Sequence, residues 1–158
     1  MLKIENFKLS IVIPCFNEAE YIDKTLDKIL KNIKFYDYQD YEIIIVDDFS
    51  NDGTINKLKD LANIKNIKVI FHEYNQGKGA AIRSAIDSIS GDILIIQDAD
   101  LEYDPSDYKK LLLPFFETDA DIVYGSRFLG GGKYVRIHFF WHYLANKILT
   151  FVCNLFTN

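Results

Sequence analysis

The chain has 158 residues, a formal net charge of −5 and 49% hydrophobic residues. That length suits one domain with one core, and the acidic balance excludes a general nucleic-acid binder, which needs a basic face. Two cysteines, Cys15 and Cys153, with no CxxC pair, exclude a disulfide framework and leave thiol-metal or redox chemistry unsupported. The N-terminus MLKIENFKLS has no apolar signal-peptide core, so a reducing, cytoplasmic setting is the default, with peripheral association at the cytoplasmic membrane face as its variant. No run of about 18 uncharged apolar residues predicts a membrane span.

Taken in chain order, Leu9 to Pro14 (LSIVIP) is a β-branched run that predicts a buried strand. A helix over about Ala19 to Asn32 follows, with Ile22, Leu26, Ile29, Leu30 and Ile33 on one face. Tyr41 to Val46 predicts the second strand. Ser50 to Thr54 is turn chemistry that starts a short helix ending near Ala62. Ile67 to His72 predicts the third strand, and Asn75 to Gly79 a loop into a helix with Ala81, Ile82, Ala85, Ile86 and Ile89 inward. Gly91 is expected to cap that helix. Asp92 to Gln97 predicts a buried fourth strand, Asp104 a helix cap with Pro105 at the first position, and Asp121 to Gly125 a fifth strand. Gly130 to Gly132 reads as a hinge or loop. A last helix is expected from Arg136 to about Phe156, within an aromatic amphipathic segment at 137–158. Strands alternating with helices imply a three-layer α/β fold of Rossmann-like type, with a mostly parallel central sheet covered on both faces.

Ligands in such sheets bind beyond the carboxyl ends of the strands. The polar residues gather there: Asn17 and Glu18 after the first strand, Asp47 and Asp48 after the second, and Asp98, Asp100, Glu102 and Asp104 after the fourth. Asp98 and Asp100 are two apart. On an extended chain both point to one side, with Glu102 as a third. Such a set suits magnesium or manganese, which take carboxylate and phosphate oxygens; the plain alternative is a solvated acidic turn. Asp48 is assigned to a ligand and Asp47 to structure, the alternative being helix capping by the following Ser50 to Asp52 segment with one of the pair merely solvated. Gly77-Lys78-Gly79 before a helix offers backbone N–H groups to an anion, but it is neither a P-loop nor a full GxGxxG. Lys78 there either neutralises a diphosphate or faces solvent.

Together Pro14-Cys15-Phe16-Asn17-Glu18, Val46 to Thr54, Asn75 to Gly79 and Asp98-Ala99-Asp100-Leu101-Glu102 resemble family 2 glycosyltransferases of the GT-A fold, in order and spacing, across nearly the whole chain. Tyr103-Asp104-Pro105 and Tyr124 to Phe128 are most similar to the polyprenyl- and dolichol-phosphate group within that family. The resemblance implies a UDP- or GDP-sugar donor, a Mg²⁺ or Mn²⁺ cofactor and an inverting transfer to a lipid phosphate. By it Pro14, Phe16, Asn17, Glu18 and Asp48 hold the nucleoside, with Lys78 and Ala99 at the same donor site. Asp98, Asp100 and Glu102 take the metal. Arg127 faces the acceptor phosphate and counts with Asp98 and Asp100 as catalytic; its alternative is a structural ion pair. A sugar or protein acceptor, or a non-catalytic nucleotide-sugar binder, stands as an alternative reading.

Two other classes fit worse. A haloacid-dehalogenase-type phosphatase also carries DxD after an apolar strand, but its nucleophile stands near the start of the chain and Asp98 comes late. A receiver domain, which the acidic pair Asp47-Asp48 suggests, needs a phosphoacceptor Asp after the third strand, where His72-Glu73 stands instead. The final helix, rich in Phe, Trp and Tyr, packs on the core, meets a second chain or lies in a membrane interface. Its His138 and His142 have a metal pair's spacing without a third ligand. The resembling family continues beyond this helix with acceptor-site residues, so the chain is expected to be one donor-binding domain shortened at its C-terminus.

Overall fold

A computed structural model describes residues 7–118, 120–125 and 140–157. Packing divides the chain into two units, Met1–Val123 and Tyr124–Asn158. The first unit alternates strands and helices as expected. Its elements are β1 (Lys8–Cys15), α1 (Ile22–Phe35), β2 (Asp40–Asp47), α2 (Thr54–Leu61), β3 (Ile67–Phe71), α3 (Lys78–Ile86), β4 (Ile93–Ile96), a 3₁₀ turn (Pro105–Asp107) and α4 (Tyr108–Glu117). The second unit contains α5 (Phe140–Thr157).

The four strands form one parallel sheet in the order β3-β2-β1-β4. The central strands are Ile- and Val-rich because both of their faces are covered, so alternation gives way to a continuous apolar run. Ile11 lies between Ile43 of β2 and Ile95 of β4. On one face Leu9, Ile11, Ile13, Ile43 and Ile45 pack against α1, α2 and α4 through Ile22, Leu26, Ile29, Leu58, Leu112 and Phe116. On the other face Val12, Ile44 and Val46 meet Ala81 and Ala85 of α3. Small side chains there let α3 approach the strands closely. Each fully buried isoleucine is worth about 1.5–3 kcal/mol, so the sheet interior dominates the stability of this unit.

The order of the strands sets the position of the site. The chain steps outward from β1 through β2 to β3, then crosses back to β4 on the far side of β1. Right-handed crossovers therefore put α1 and α2 on one face and α3 on the other. The direction reverses between β1 and β4, and a crevice opens beyond their carboxyl ends at that switch point.

Several expectations change. Gly91 does not cap α3, which ends at Ile86. It lies where the chain passes β1 so closely that a Cβ would stand 2.4 Å from Ser10 Oγ and 2.7 Å from the Lys8 carbonyl. Ile86 is 54% exposed, so α3 buries its alanines rather than its large side chains. The fourth strand is an edge among the described strands, and it is buried on one face only: Ile93 and Ile95 are inside, Leu94 and Ile96 outside. Asp121 to Gly125 forms no strand. Asp104 does cap, accepting from the Ser106 N–H at 2.9 Å with Pro105 next, although the turn it opens is 3₁₀ before it becomes α4. No helix among the described residues is long and apolar enough to cross a membrane. In α5 the side chains of Ile148, Leu149, Phe151, Leu155 and Phe156 are exposed. Gly130 to Gly132, Arg127 and His138 lie outside the described residues.

Candidate active site

Three strand-end turns meet at the carboxyl edge of the sheet, and each contains a residue in the left-handed region: Asn17 (φ 58°), Phe49 (φ 68°) and Leu101 (φ 63°). A bulky side chain at positive φ is strained by about 1–3 kcal/mol, and such strain concentrates where function fixes the backbone. The first two turns are stitched together. The Asn17 N–H donates to Ser50 Oγ at 2.8 Å, and the Asn17 side-chain carbonyl accepts from the Asn51 N–H at 2.8 Å. The Glu18 N–H donates to Thr54 Oγ1 at 2.9 Å and the Ala19 N–H to Asp52 at 3.1 Å. Asn17 thus spends its side chain on loop shape while its neighbours Phe16 and Glu18 face the crevice.

The acids after β2 are buried. Asp47 is fully buried, with one carboxylate oxygen accepting from the Ser50 N–H at 3.1 Å and the other without a partner among the described residues. Asp48 is 3% exposed and serves as a clasp. Its oxygens accept from the N–H groups of Gln76 at 2.8 Å and Gly77 at 2.7 Å, and His72 Nδ1 lies 2.7 Å away. The other ring nitrogen, His72 Nε2, is 2.9 Å from Ser84 Oγ on α3. Burial alone would raise the Asp48 carboxyl, but the Gln76 N–H, the His72 ring and the Gly77 N–H outweigh it and hold it below the usual carboxylate range. Sequence reading missed His72 and Ser84. Only the register brings them together: Asp47 pairs with Phe71 across β2 and β3, so Asp48 and His72 follow side by side.

The acids after β4 are arranged differently. The chain turns at Ala99 and Asp100 instead of staying extended, so strand alternation is not what aligns Asp98 with Asp100. Buried Gln97 closes the loop by donating to the carbonyls of Asp98 at 3.0 Å and Tyr103 at 3.1 Å, while its own carbonyl accepts from Tyr108 Oη at 2.9 Å. Thr25 of α1 adds a bond to the Ala99 carbonyl at 2.7 Å. The loop is rigid in its backbone, and its carboxylates stay at the surface of the crevice. Asp98 pairs with Lys78 Nζ at 2.5 Å, and Asp100 accepts from the Glu102 N–H at 3.0 Å.

A cleft of about 200 Å³ joins these parts, lined by Pro14, Cys15, Phe16, Glu18, Asp48, Lys78, Ala81, Asp98, Ala99 and Asp100. The structure thus brings together eight residues read from the sequence. It leaves Asn17 and Glu102 out of the lining, and Arg127 lies outside the described residues. Glu102 is exposed. A larger cavity of about 750 Å³ opens at the opposite, amino end of the sheet beside Phe7, Lys8, Tyr36 and Asp40. In a parallel sheet the carboxyl end is where ligands bind, and the strained turns and the Asp98–Asp100 pair are all at the smaller cleft.

Negative charge in this cleft is only partly compensated. Burial raises the Glu18 carboxyl, and Asp100, Asp52 and Asp98 raise it further. Burial also pushes the Cys15 thiol up, with Asp47 adding to the effect, so Cys15 is no nucleophile. Excess negative charge on oxygen donors fits a hard divalent cation. Among the described residues no three acid, histidine or cysteine groups converge to enclose a metal. Magnesium, however, needs only one or two carboxylates when phosphate oxygens complete its shell. Asp98 and Asp100 fit a cation shared with a phosphorylated ligand.

Comparison with known proteins places the chain in a family. A dolichol-phosphate mannosyltransferase of Pyrococcus furiosus is 33% identical over 126 residues, 80% of this chain and 35% of that protein. An undecaprenyl-phosphate 4-deoxy-4-formamido-L-arabinose transferase of Proteus mirabilis is 36% identical over 118 residues, 73% of this chain and 36% of that protein. The chain therefore spans about a third of the length of the curated relatives it matches. Among solved structures, S. aureus TarS 1-349 in complex with UDP-GlcNAc aligns with a TM-score of 0.57 at 28% identity, over 70% of this chain and 31% of that one. The fold is also that of the Pyrobaculum calidifontis mannosyltransferase PcManGT, in complex with GDP-Man and Mn²⁺, with a TM-score of 0.60 at 24% identity over 70% of this chain and 32% of that one. The model of glycosyl transferase family 2 matches residues 10–157, so the chain belongs to that family.

Proposed function

We propose that this chain binds a nucleoside diphosphate sugar in the cleft beyond β1 and β4 and is the donor-binding part of an enzyme that transfers the sugar, with inversion, to a polyprenyl phosphate. The observation that carries the reading is the Asp98–Asp100 pair, held on a braced turn at the switch point and sharing one cleft with Phe16 and Glu18. The names of the relatives, dolichol-phosphate and undecaprenyl-phosphate transferases, support the choice of acceptor.

In this reading Pro14, Phe16, Glu18 and Asp48 form the nucleoside's wall, and Phe16, 45% exposed, offers its ring for stacking. Asp98 and Asp100 would hold Mg²⁺ or Mn²⁺ together with the diphosphate. A divalent cation there offsets the charge that grows on the departing diphosphate. An oxygen of the acceptor phosphate bonds to the anomeric carbon as the bond from that carbon to the diphosphate breaks, and the bonding pair leaves with the nucleotide. The acceptor is already ionised at neutral pH, so no general base has to take a proton. Among the described residues no histidine lines the cleft, in keeping with this. Arg127 is assigned to the acceptor phosphate, which its guanidinium fork suits. A lipid acceptor places the reaction at a membrane surface, where the exposed apolar residues of α5 suit peripheral contact.

Calorimetric titration with UDP- and GDP-sugars, with and without Mn²⁺, tests the donor assignment. One nucleotide should bind in a metal-dependent way, and Asp100→Ala should weaken it at least about tenfold. Binding of neither nucleotide, or binding indifferent to both metal and Asp100, overturns the reading.

A further inference from the structure

Lys78 connects the two acid pairs. Its base is fixed at one: Gly77, the residue before it, donates its N–H to Asp48 at 2.7 Å and sits at φ 87°, a conformation glycine adopts without strain. Its head reaches the other: Nζ lies 2.5 Å from Asp98 Oδ1. The ammonium therefore stands on a carboxylate that would also serve a divalent cation. The Lys78 side chain is 55% exposed and flexible, whereas Asp98, at 20%, is held by its braced loop. Of the two partners the lysine is the one free to leave.

We propose that Lys78 is a tethered counter-ion of the metal site, which makes divalent-metal binding conditional on the diphosphate. The inference rests on the donor reading above. A metal arriving alone must displace the ammonium from Asp98 and leaves it without an anion. A metal arriving with a nucleoside diphosphate brings phosphate oxygens within reach of the displaced ammonium, which then pairs with them. The lysine thus opposes the metal alone and favours the pair. Metal and nucleotide each strengthen the other's binding, by the same factor in both directions. The rest of the cleft is acidic: Glu18, Asp98 and Asp100 line it, and Lys78 is the one cation among its described lining residues. No other described lining side chain can play this part.

The test compares native chain, Lys78→Met and Lys78→Arg. Mn²⁺ affinity is measured alone by the electron paramagnetic resonance of free manganese. UDP and GDP affinity is measured by calorimetry at fixed Mn²⁺, and circular dichroism confirms folding. Lys78→Met should bind Mn²⁺ alone about two- to fivefold more tightly, the worth of a partly exposed ion pair, while binding the nucleotide more weakly. Lys78→Arg should keep native behaviour in both. Unchanged or weaker Mn²⁺ binding by Lys78→Met, with nucleotide binding to the native chain intact, overturns the role of the lysine alone. Equal shifts of both affinities in one direction overturn it too. If the native chain binds neither nucleotide, the donor reading itself falls, and the inference with it.

Discussion

The chain carries two acid pairs at the ends of strands that flank β1, and they have opposite fates. Asp47 and Asp48 are buried, and Asp48 takes two backbone N–H groups and a histidine. Asp98 and Asp100 sit half-buried at the rim of the cleft, one paired with a flexible lysine and the other accepting a single backbone bond. The carboxylates of the first pair are taken up largely by the fold, with Asp48 left only as part of the cleft wall. The second pair is presented by the fold. The difference lies in what is placed opposite: β3 and its following loop bring donors to Asp48, whereas among the described residues no further strand stands beyond β4. The sequence motif around an acid says less about its role than the number of donors its neighbours deliver.

The largest effect that could break this comparison is on stability. Asp48→Ala strands the N–H groups of Gln76 and Gly77 and one nitrogen of His72. It should cost about 3 kcal/mol in chemical denaturation, whereas Asp100→Ala should stay within about 0.5 kcal/mol. Equal costs for both would erase the distinction. The next effect is the acid limb of stability. The Asp48 carboxyl is held below its ordinary value, so its contribution is complete above about pH 4 and is lost as pH falls below that, through the lowered value. Thermal melts of the native chain should drop steeply there, and those of Asp48→Ala should drop less. The smallest effect has the opposite sign. Glu18 is raised by burial and by Asp100, Asp52 and Asp98, so its ionised form opposes folding at neutral pH and the opposition fades as pH falls through the raised value. Glu18→Gln should stabilise the chain by about 0.5 kcal/mol, a gain visible by melting at pH 7 and absent near pH 4.

Much of this was legible in the sequence. Apolar runs such as LSIVIP and YEIIIV can only be strands covered on both sides, and the alternation with helices fixed the parallel sheet. The positions of Asp98, Asp100, Glu18 and Phe16 after their strands placed them at one cleft. What escaped depended on register or on close approach. Whether Asp48 meets a histidine is decided by how β2 aligns with β3, and periodicity carries no alignment. Gly91 looked like a helix terminator because glycine often is one, yet its reason is the backbone of Lys8 and Ser10 lying against it. Gln97 read as the end of a strand, and only the turn after it shows why a buried amide with partners on both sides stands there.

The position of β4 has one more consequence. This strand has four residues and among the described residues is paired on one side only, along β1 from Leu9 to Val12. Its local opening need not wait for the whole sheet to come apart, because so few backbone bonds hold it. Asp98 and Asp100 therefore follow the shortest of the described strands. A ligand that bridges Asp98 and Asp100 to Lys78 and Glu18 would tie this strand's far end to α3 and to the β1 turn. Binding would then slow amide hydrogen exchange in β4 more than in β2, and the same bond that recognises the ligand would complete the sheet.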